Sequence, residues 1–534
     1  MPRVFPQKLY EQMPVTANGR LYQRKDALST EKILLAEKRC FLAQEKIVFA
    51  EEKMLISRTL RKINQMSTFI CGSQNFSVKI EPMKTIAPDN LPPSVKPSIF
   101  GGHFLQFRRQ PTGFLQTLAA LGDVTSFRMG KQQAFFVNHP DFIRDILVTN
   151  HSKFHKGRAL KRAKRLLGEG LLTNEGESHL RQRRMMQPAF HRQRIAAYAE
   201  TMIEYGEKMS NLWQDGEVRD LSKEMMRLTL QIVGKTLFNA NVEDEADDVG
   251  TAMTTLVELF DYLLLPFSEI LEKLPLPQAR RFDKAKQTLD KIIYGIIEER
   301  RKSGALDKGD LLSMLLAARD EEGDGSGMTD EQIRDEALTL FLAGHETTAC
   351  ALTFTWYLLS QNPEAEAKFH AELDAVFPHG EVPKPEDYAR LKYTEAVLAE
   401  AMRLFPPAWG TGRLAIEPHE IGGYRIPKGA LVLVSMFVMQ RDERFWDDAE
   451  KFQPERWLKE NAVKEAGQKF IYFPFGGGVR RCIGEQFAWM EGVLLLATLG
   501  RKWKLHLQPE QKIVLQPLMT LRSKYGMKMK IQKR

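Results

Sequence analysis

Cysteine is scarce in this 534-residue chain, with four in all: Cys40, Cys71, Cys350 and Cys482. None forms a Cys-x-x-Cys pair, which excludes a cystine-stapled secreted scaffold and suits a reducing compartment. Long apolar runs are missing too. No stretch approaches the ~18–20 residues that a transmembrane helix needs, so no transmembrane anchor is expected. The N-terminus lacks the basic-then-apolar order of a signal peptide, and the expectation is a cytoplasmic protein. Strong charge bias is also absent from most of the chain. The formal net charge is +9, yet residues 1–82 hold 14 Lys and Arg against 8 Asp and Glu, leaving 63 against 60 for the remainder. The basic balance therefore gives no reason to expect a nucleic-acid partner. Hydrophobic residues at 43% and charged residues at 27% exclude wholesale disorder.

What is present begins with a repeat. From Lys32 the units KILLAEK, RCFLAQE, KIVFAEE and KMLISRT follow one another. They stack Leu34, Phe41, Val48 and Leu55 in one register and Leu35, Leu42, Phe49 and Ile56 in the next. On a helix this makes a broad apolar stripe, suited to a coiled coil or a membrane surface. A translated tandem repeat ahead of a true start at Met83 is the alternative. The chain thus divides into an N-terminal extension, residues 1–82, and a compact remainder, residues 83–534.

Beyond a Pro-rich lead-in at 87–98, strand-like stretches occupy Val124–Val137. An amphipathic helical pattern follows from His139 to Arg319, broken by a loop at Gly168–Gly176. Thr329-Asp-Glu-Gln332 is a capping box. The helix that it starts should run to about Gln361, or ~50 Å, with Gly344 as its one breaker. More helices reach Leu404, a strand-rich patch covers Glu420–Met436, and a last helix starts near Gly484. The expected fold class is mainly α with small β-sheets and one long central helix.

The strongest motif is Phe475-Gly-Gly-Gly478-Val-Arg480-Arg-Cys482-Ile-Gly484. It fits F-x-x-G-x-R-x-C-x-G at every fixed position, a chance on the order of one in several thousand at ordinary residue frequencies. Its glycines let the backbone turn tightly beside a flat macrocycle. Its cysteine sits just before a helix, where backbone N–H groups stabilise a thiolate. The stretch resembles the haem-binding loop of the cytochrome P450 family.

That resemblance covers about residues 90–530 and makes residues 83–534 the haem domain, with the central helix over a buried haem b. It implies Cys482 as the axial thiolate on iron. Phe475, Gly478 and Gly484 would shape the loop around the cofactor. Ala343-Gly-His-Glu-Thr347-Thr is similar to the family's oxygen-binding segment. There Ala343 and Gly344 would leave room for haem and O2, while Glu346 and Thr347 would relay protons. Glu400-Ala-Met-Arg403 is an ExxR pair on one helical face, which the resemblance joins to Arg456 in a structural trio under the Cys loop. Trp457 stands where Phe is commoner, with no consequence expected. The haem propionates would meet Arg480, Arg413 and the pair His179 and Arg183.

The resemblance implies a monooxygenase taking electrons from a separate ferredoxin or flavodoxin type donor and its reductase, with no bound flavin. The basic cluster near Arg183, Arg480 and Arg481 would receive that donor. A peroxygenase or isomerase, and a non-catalytic haem sensor, are the other classes left open. The apolar stretch Leu256–Leu276 suggests a pocket cover for a lipophilic substrate, either a fatty acid or a terpenoid such as a carotenoid.

Overall fold

The structure is a computed structural model, described here for residues 91–97, 102–239, 249–252, 255–256, 277–303, 309–320, 323 and 325–534. The repeat of residues 32–59 and residues 257–276 of the expected pocket cover lie outside these. The described residues all belong to the unit Ala87–Arg534. Its longer helices are α1 (Arg158–Leu167), α2 (Gly176–Met186), α3 (Arg192–Leu212), α4 (Leu221–Phe238), α5 (Pro277–Ser303), α6 (Asp330–Gln361), α7 (Pro363–Val376), α8 (Lys392–Leu404) and α9 (Glu485–Gly500).

Helix α6 is the expected central element. Thr329 caps it: its hydroxyl accepts from Gln332 N, and the Gln332 side chain accepts from Thr329 N. Two orphan donors are satisfied at once, which fixes where the helix begins. Its apolar residues do not keep to one stripe, because α6 is enclosed. It packs on α4, α5, α8 and α9, and Leu338, Leu352, Phe354 and Trp356 are all fully buried.

Among the described residues the strands form one larger sheet and three small ones. The larger has the order β1 (Val124–Met129), β2 (Gln132–Val137), β8 (Leu431–Val434), β5 (Thr411–Ala415), β3 (Phe154–Lys156). β1 and β2 are the hairpin read from the sequence, turning at Gly130 with φ 63°. β2 pairs in parallel with β8, so the C-terminal half of the chain closes onto the N-terminal half. In the β3–β5 pair Lys156 lies opposite Arg413, a juxtaposition of two cations that becomes important below. The smaller sheets use β4 (Val218–Asp220), β6 (His419–Ile421), β7 (Tyr424–Ile426) and four strands that follow α9: β9 (Trp503–Leu507), β10 (Leu515–Pro517), β11 (Leu521–Ser523) and β12 (Lys528–Lys533). Among the described residues no helix is long and apolar enough to cross a membrane.

Candidate functional site

The loop from Phe475 to Gly484 closes on itself: Cys482 N donates to Phe475 O at 2.9 Å. Gly478 holds φ 66°, and a Cβ there would lie 2.1 Å from the Leu147 carbonyl oxygen. Only glycine fits so close an approach in the left-handed region. Phe475 is half-buried against Trp489 of α9, with ring centroids 5.9 Å apart. Gly484 immediately precedes α9, and a Cβ there would only touch Phe190 at 3.8 Å. The Cys482 side chain retains accessible surface, while burial pushes its thiol up to about 11, against the opposing pull of Gly484 N–H, Arg183 and Arg481.

Beneath the loop lies the expected trio, with more members than anticipated. Glu400 and Arg403 are fully buried and bidentate, both bonds at 2.8 Å. Arg456 Nε reaches Glu400 at 3.2 Å. Arg403 also donates to the carbonyls of Gln440, Ala449 and Lys451. Such a pair is stable only because every remaining lone pair and proton is met. Trp457 corrects one expectation. Its indole N–H donates to Glu400 Oε2 at 2.8 Å, a bond that the commoner Phe cannot make. Gln440, unnoticed in the sequence, carries the network to the loop: it donates to Met402 O and Arg403 O, and accepts from Phe473 N at 3.0 Å.

A second cluster is cationic. Arg413 on β5, Lys156 on β3, Arg480 two residues before the cysteine and His179 on α2 lie close enough to perturb one another. Burial, then Arg480, brings Arg413 down to about 10. Burial, then Arg480, also drives His179 to about 3. Arg480 Nη2 pairs with Glu175, but its buried Nη1 has no hydrogen-bond partner. Excess buried positive charge with an orphaned guanidinium nitrogen is the signature of a missing anion. The two carboxylates of a haem suit it, so these residues fit the group that Cys482 would hold.

Arg183, beside His179, also meets the cysteine loop directly. Its Nη1 donates to Arg481 O at 2.7 Å, which supports the cysteine loop's backbone. The wider basic face carries its own counter-ions. Arg181 and Arg184 reach Asp320 at 3.2 and 3.1 Å, and Arg481 pairs with Glu485 at 2.5 Å.

The central helix supplies the third part. From Ile333 to Trp356 every residue is buried except Ala343, Gly344 and Thr347. Their i, i+1, i+4 spacing puts them on one face, and an exposed alanine inside a buried helix marks a cavity. Thr347 Oγ1 donates to Ala343 O at 2.6 Å, leaving the oxygen's lone pairs as acceptors. Gly344 has a packing reason as well: a Cβ would come 3.0 Å from Val233 Cγ2 on α4. Glu346 is not in that open face. It is fully buried and held by Arg522 of β11, Nε at 2.6 Å and Nη2 at 2.5 Å, with the Thr520 hydroxyl donating to the same oxygen. Its other oxygen, Oε2, has no partner. Nothing near Glu346 in sequence signals Arg522, which lies 176 residues away.

Comparison with known proteins agrees with this geometry. The family model described as Cytochrome P450 matches residues 92–530. Cyclooctatin synthase of Streptomyces melanosporofaciens is 40% identical over 82% of this chain and 93% of its own length. Cyclooctat-9-en-7-ol 5-monooxygenase of the same organism is 36% identical over 80% of this chain and 94% of its own length. Pentalenene oxygenase of Streptomyces avermitilis is 36% identical over 77% of this chain and 90% of its own length. With the family model spanning nearly all of the described unit, the chain belongs to the cytochrome P450 family and is an oxidoreductase of its monooxygenase class.

Proposed function

We propose that this enzyme inserts one oxygen atom of O2 into a terpenoid, with Cys482 as the residue that would hold the iron of haem b. The carrying observation is the open face Ala343, Gly344 and Thr347 in an otherwise buried helix. It provides room for an apolar substrate beside a hydroxyl that can hold a proton. A haem bound to Cys482 would supply the oxygen-activating iron, whose charge ionises the thiol that burial keeps protonated. Arg413, Arg480 and His179 would hold the propionates, His179 as a neutral N–H donor. Gly478 and Gly484 keep the loop backbone close, and Phe475 packs it onto α9. Arg183 fixes the loop from the side, while the Glu400, Arg403 and Arg456 trio supports it from below.

Thr347 positions a proton at its Oγ1, and Glu346, clamped by Arg522, is the nearest carboxylate along the helix. Electrons come from a separate ferredoxin or flavodoxin type protein. Of the two lipophilic classes that the sequence leaves open, a terpenoid is favoured by relatives named for oxidising pentalenene and cyclooctat-9-en-7-ol.

A spin-state titration tests the substrate class. Terpene hydrocarbons and terpenoid alcohols should convert the ferric protein from low to high spin more effectively than fatty acids. A flat response to every terpene would sink the assignment. The Cys482→Ala variant should lose the thiolate signature of the reduced carbon-monoxide complex, and an unchanged spectrum would remove Cys482 as ligand.

A further inference from the structure

We propose that Lys156 is a further carboxylate anchor for the haem, and that seating the cofactor draws one proton from solvent onto its amine. The proposal rests on the haem reading of the cation cluster and goes beyond the motif residues. Lys156 ends the short strand β3 and is almost fully buried. Its Nζ donates to Leu171 O at 3.2 Å and to Leu172 O. An ammonium has three N–H donors, so these two carbonyls leave one for an anion. Arg413 is its cross-strand neighbour, and Glu175 Oε1 accepts from its own backbone N–H at 2.5 Å. The same Glu175 binds Arg480 through its other oxygen. The lysine therefore sits at the junction of the groups that would meet the propionates.

The charged groups facing it come from four elements. Arg480 of the cysteine loop and Arg413 of β5 oppose its charge; Glu175 ahead of α2 and Glu336 of α6 favour it. Glu336 is itself raised to about 8, mainly by burial, so it adds little negative charge near pH 7. His179 of α2, near 3, is neutral there. Burial and the two arginines outweigh Glu175 and bring Lys156 down to about 6. An amine left largely neutral next to two guanidinium groups is waiting for negative charge. Two carboxylates within ~4–6 Å would restore its proton. No covalent bond changes at Lys156: its amine gains one proton, while the Cys482 thiol, ionised when haem binds, gives one up.

The test uses holoenzyme and follows haem transfer to excess apomyoglobin between about pH 6 and about pH 9. Relative to Lys156→Arg, which is charged throughout and should retain haem, release from the wild type should accelerate as pH rises by up to about tenfold per pH unit, because the proton that Lys156 gains on binding is lost on release whereas the proton that Cys482 gives up on binding is common to both. Lys156→Gln should follow the pH dependence of Lys156→Arg and release haem at least about tenfold faster at pH 7. Wild-type release from Lys156→Gln, or a wild-type slope in Lys156→Arg, would overturn the proposal. The reduced carbon-monoxide spectrum of each variant is read in parallel. A preserved thiolate signature in Lys156→Gln shows that the loss is on the propionate side rather than at Cys482. A wild-type protein without that signature would overturn the haem-thiolate reading, while haem release would still report on Lys156.

Discussion

Thr347 and Trp457 show how much one side chain can carry. The Thr347 hydroxyl is the one polar side-chain group on the open face of α6, and it is aimed by its bond to Ala343 O. Thr347→Ala removes the acceptor lone pairs without disturbing the buried faces of the helix. The expected result is continued consumption of reducing equivalents with hydrogen peroxide as product, and substrate oxidation per equivalent lower by about tenfold or more. Full coupling in that variant would refute a proton role. Trp457 acts on the fold instead. Its N–H is one of five that converge on the Glu400 carboxylate. Hydrogen bonds to charged groups contribute about 1.5–3 kcal/mol, so Trp457→Phe should lower stability by about 2 kcal/mol in a denaturant titration with the carbon-monoxide spectrum unchanged. An unshifted midpoint would show that the remaining donors suffice.

Legibility in the sequence follows the same division. The cysteine loop, the ExxR pair and the oxygen-binding segment were readable because their chemistry is local, set by fixed spacings along one turn or one helix. Gln440, Lys156 and Arg522 were not. Each acts on a partner from a distant strand or helix, and a lone Gln, Lys or Arg carries no pattern of its own. Glu346 was read for its place beside Thr347, but neighbouring positions on a helix point about 100° apart. Thr347 lies on the open face, whereas Glu346 points to Thr520 and to Arg522 of β11.

Elements explain the glycine that interrupts α6. A mid-helix glycine costs about 1 kcal/mol relative to alanine, and the cofactor supplied the expected reason for it. The contact with Val233 supplies another: α4 and α6 approach so closely that a methyl group at 344 would press on the valine at 3.0 Å. Overpacking typically costs about 1–3 kcal/mol, which exceeds the propensity gain. Gly344→Ala should therefore be destabilised, and Val233→Ala in the same chain should recover most of the loss. The measurement is a double-mutant cycle by denaturation, in which strictly additive effects would show that the two helices do not meet at this point. The β3–β5 pairing shows the same economy of the fold: one short ladder sets two cations side by side, which no helical periodicity could have announced.

For the whole molecule, folding buries titratable groups that respond to pH in opposite directions. His345 and His370 are brought down to about 3, first by burial. In the unfolded chain they accept protons near 6.5, so stability is lost as pH falls from about 6.5 towards 3. Glu336 and Glu491 are raised to about 8, again first by burial. These carboxyls stay protonated in the fold while the unfolded chain ionises near 4.5, so they cost stability progressively as pH rises from about 4.5 to about 8. Glu491, fully buried on α9 beside the Thr348 hydroxyl of α6, isolates the alkaline limb. Glu491→Gln keeps the shape and removes the titration. Its melting temperature should exceed that of the wild type at pH 7 and above, by an amount on the order of 1–3 kcal/mol in stability, with the gain vanishing near pH 4.5. A variant that is less stable than the wild type at pH 8 would show that the Glu491 carboxyl is ionised and partnered in the fold, and the alkaline limb would then belong to the other carboxyls that burial raises, Glu336 and Glu366.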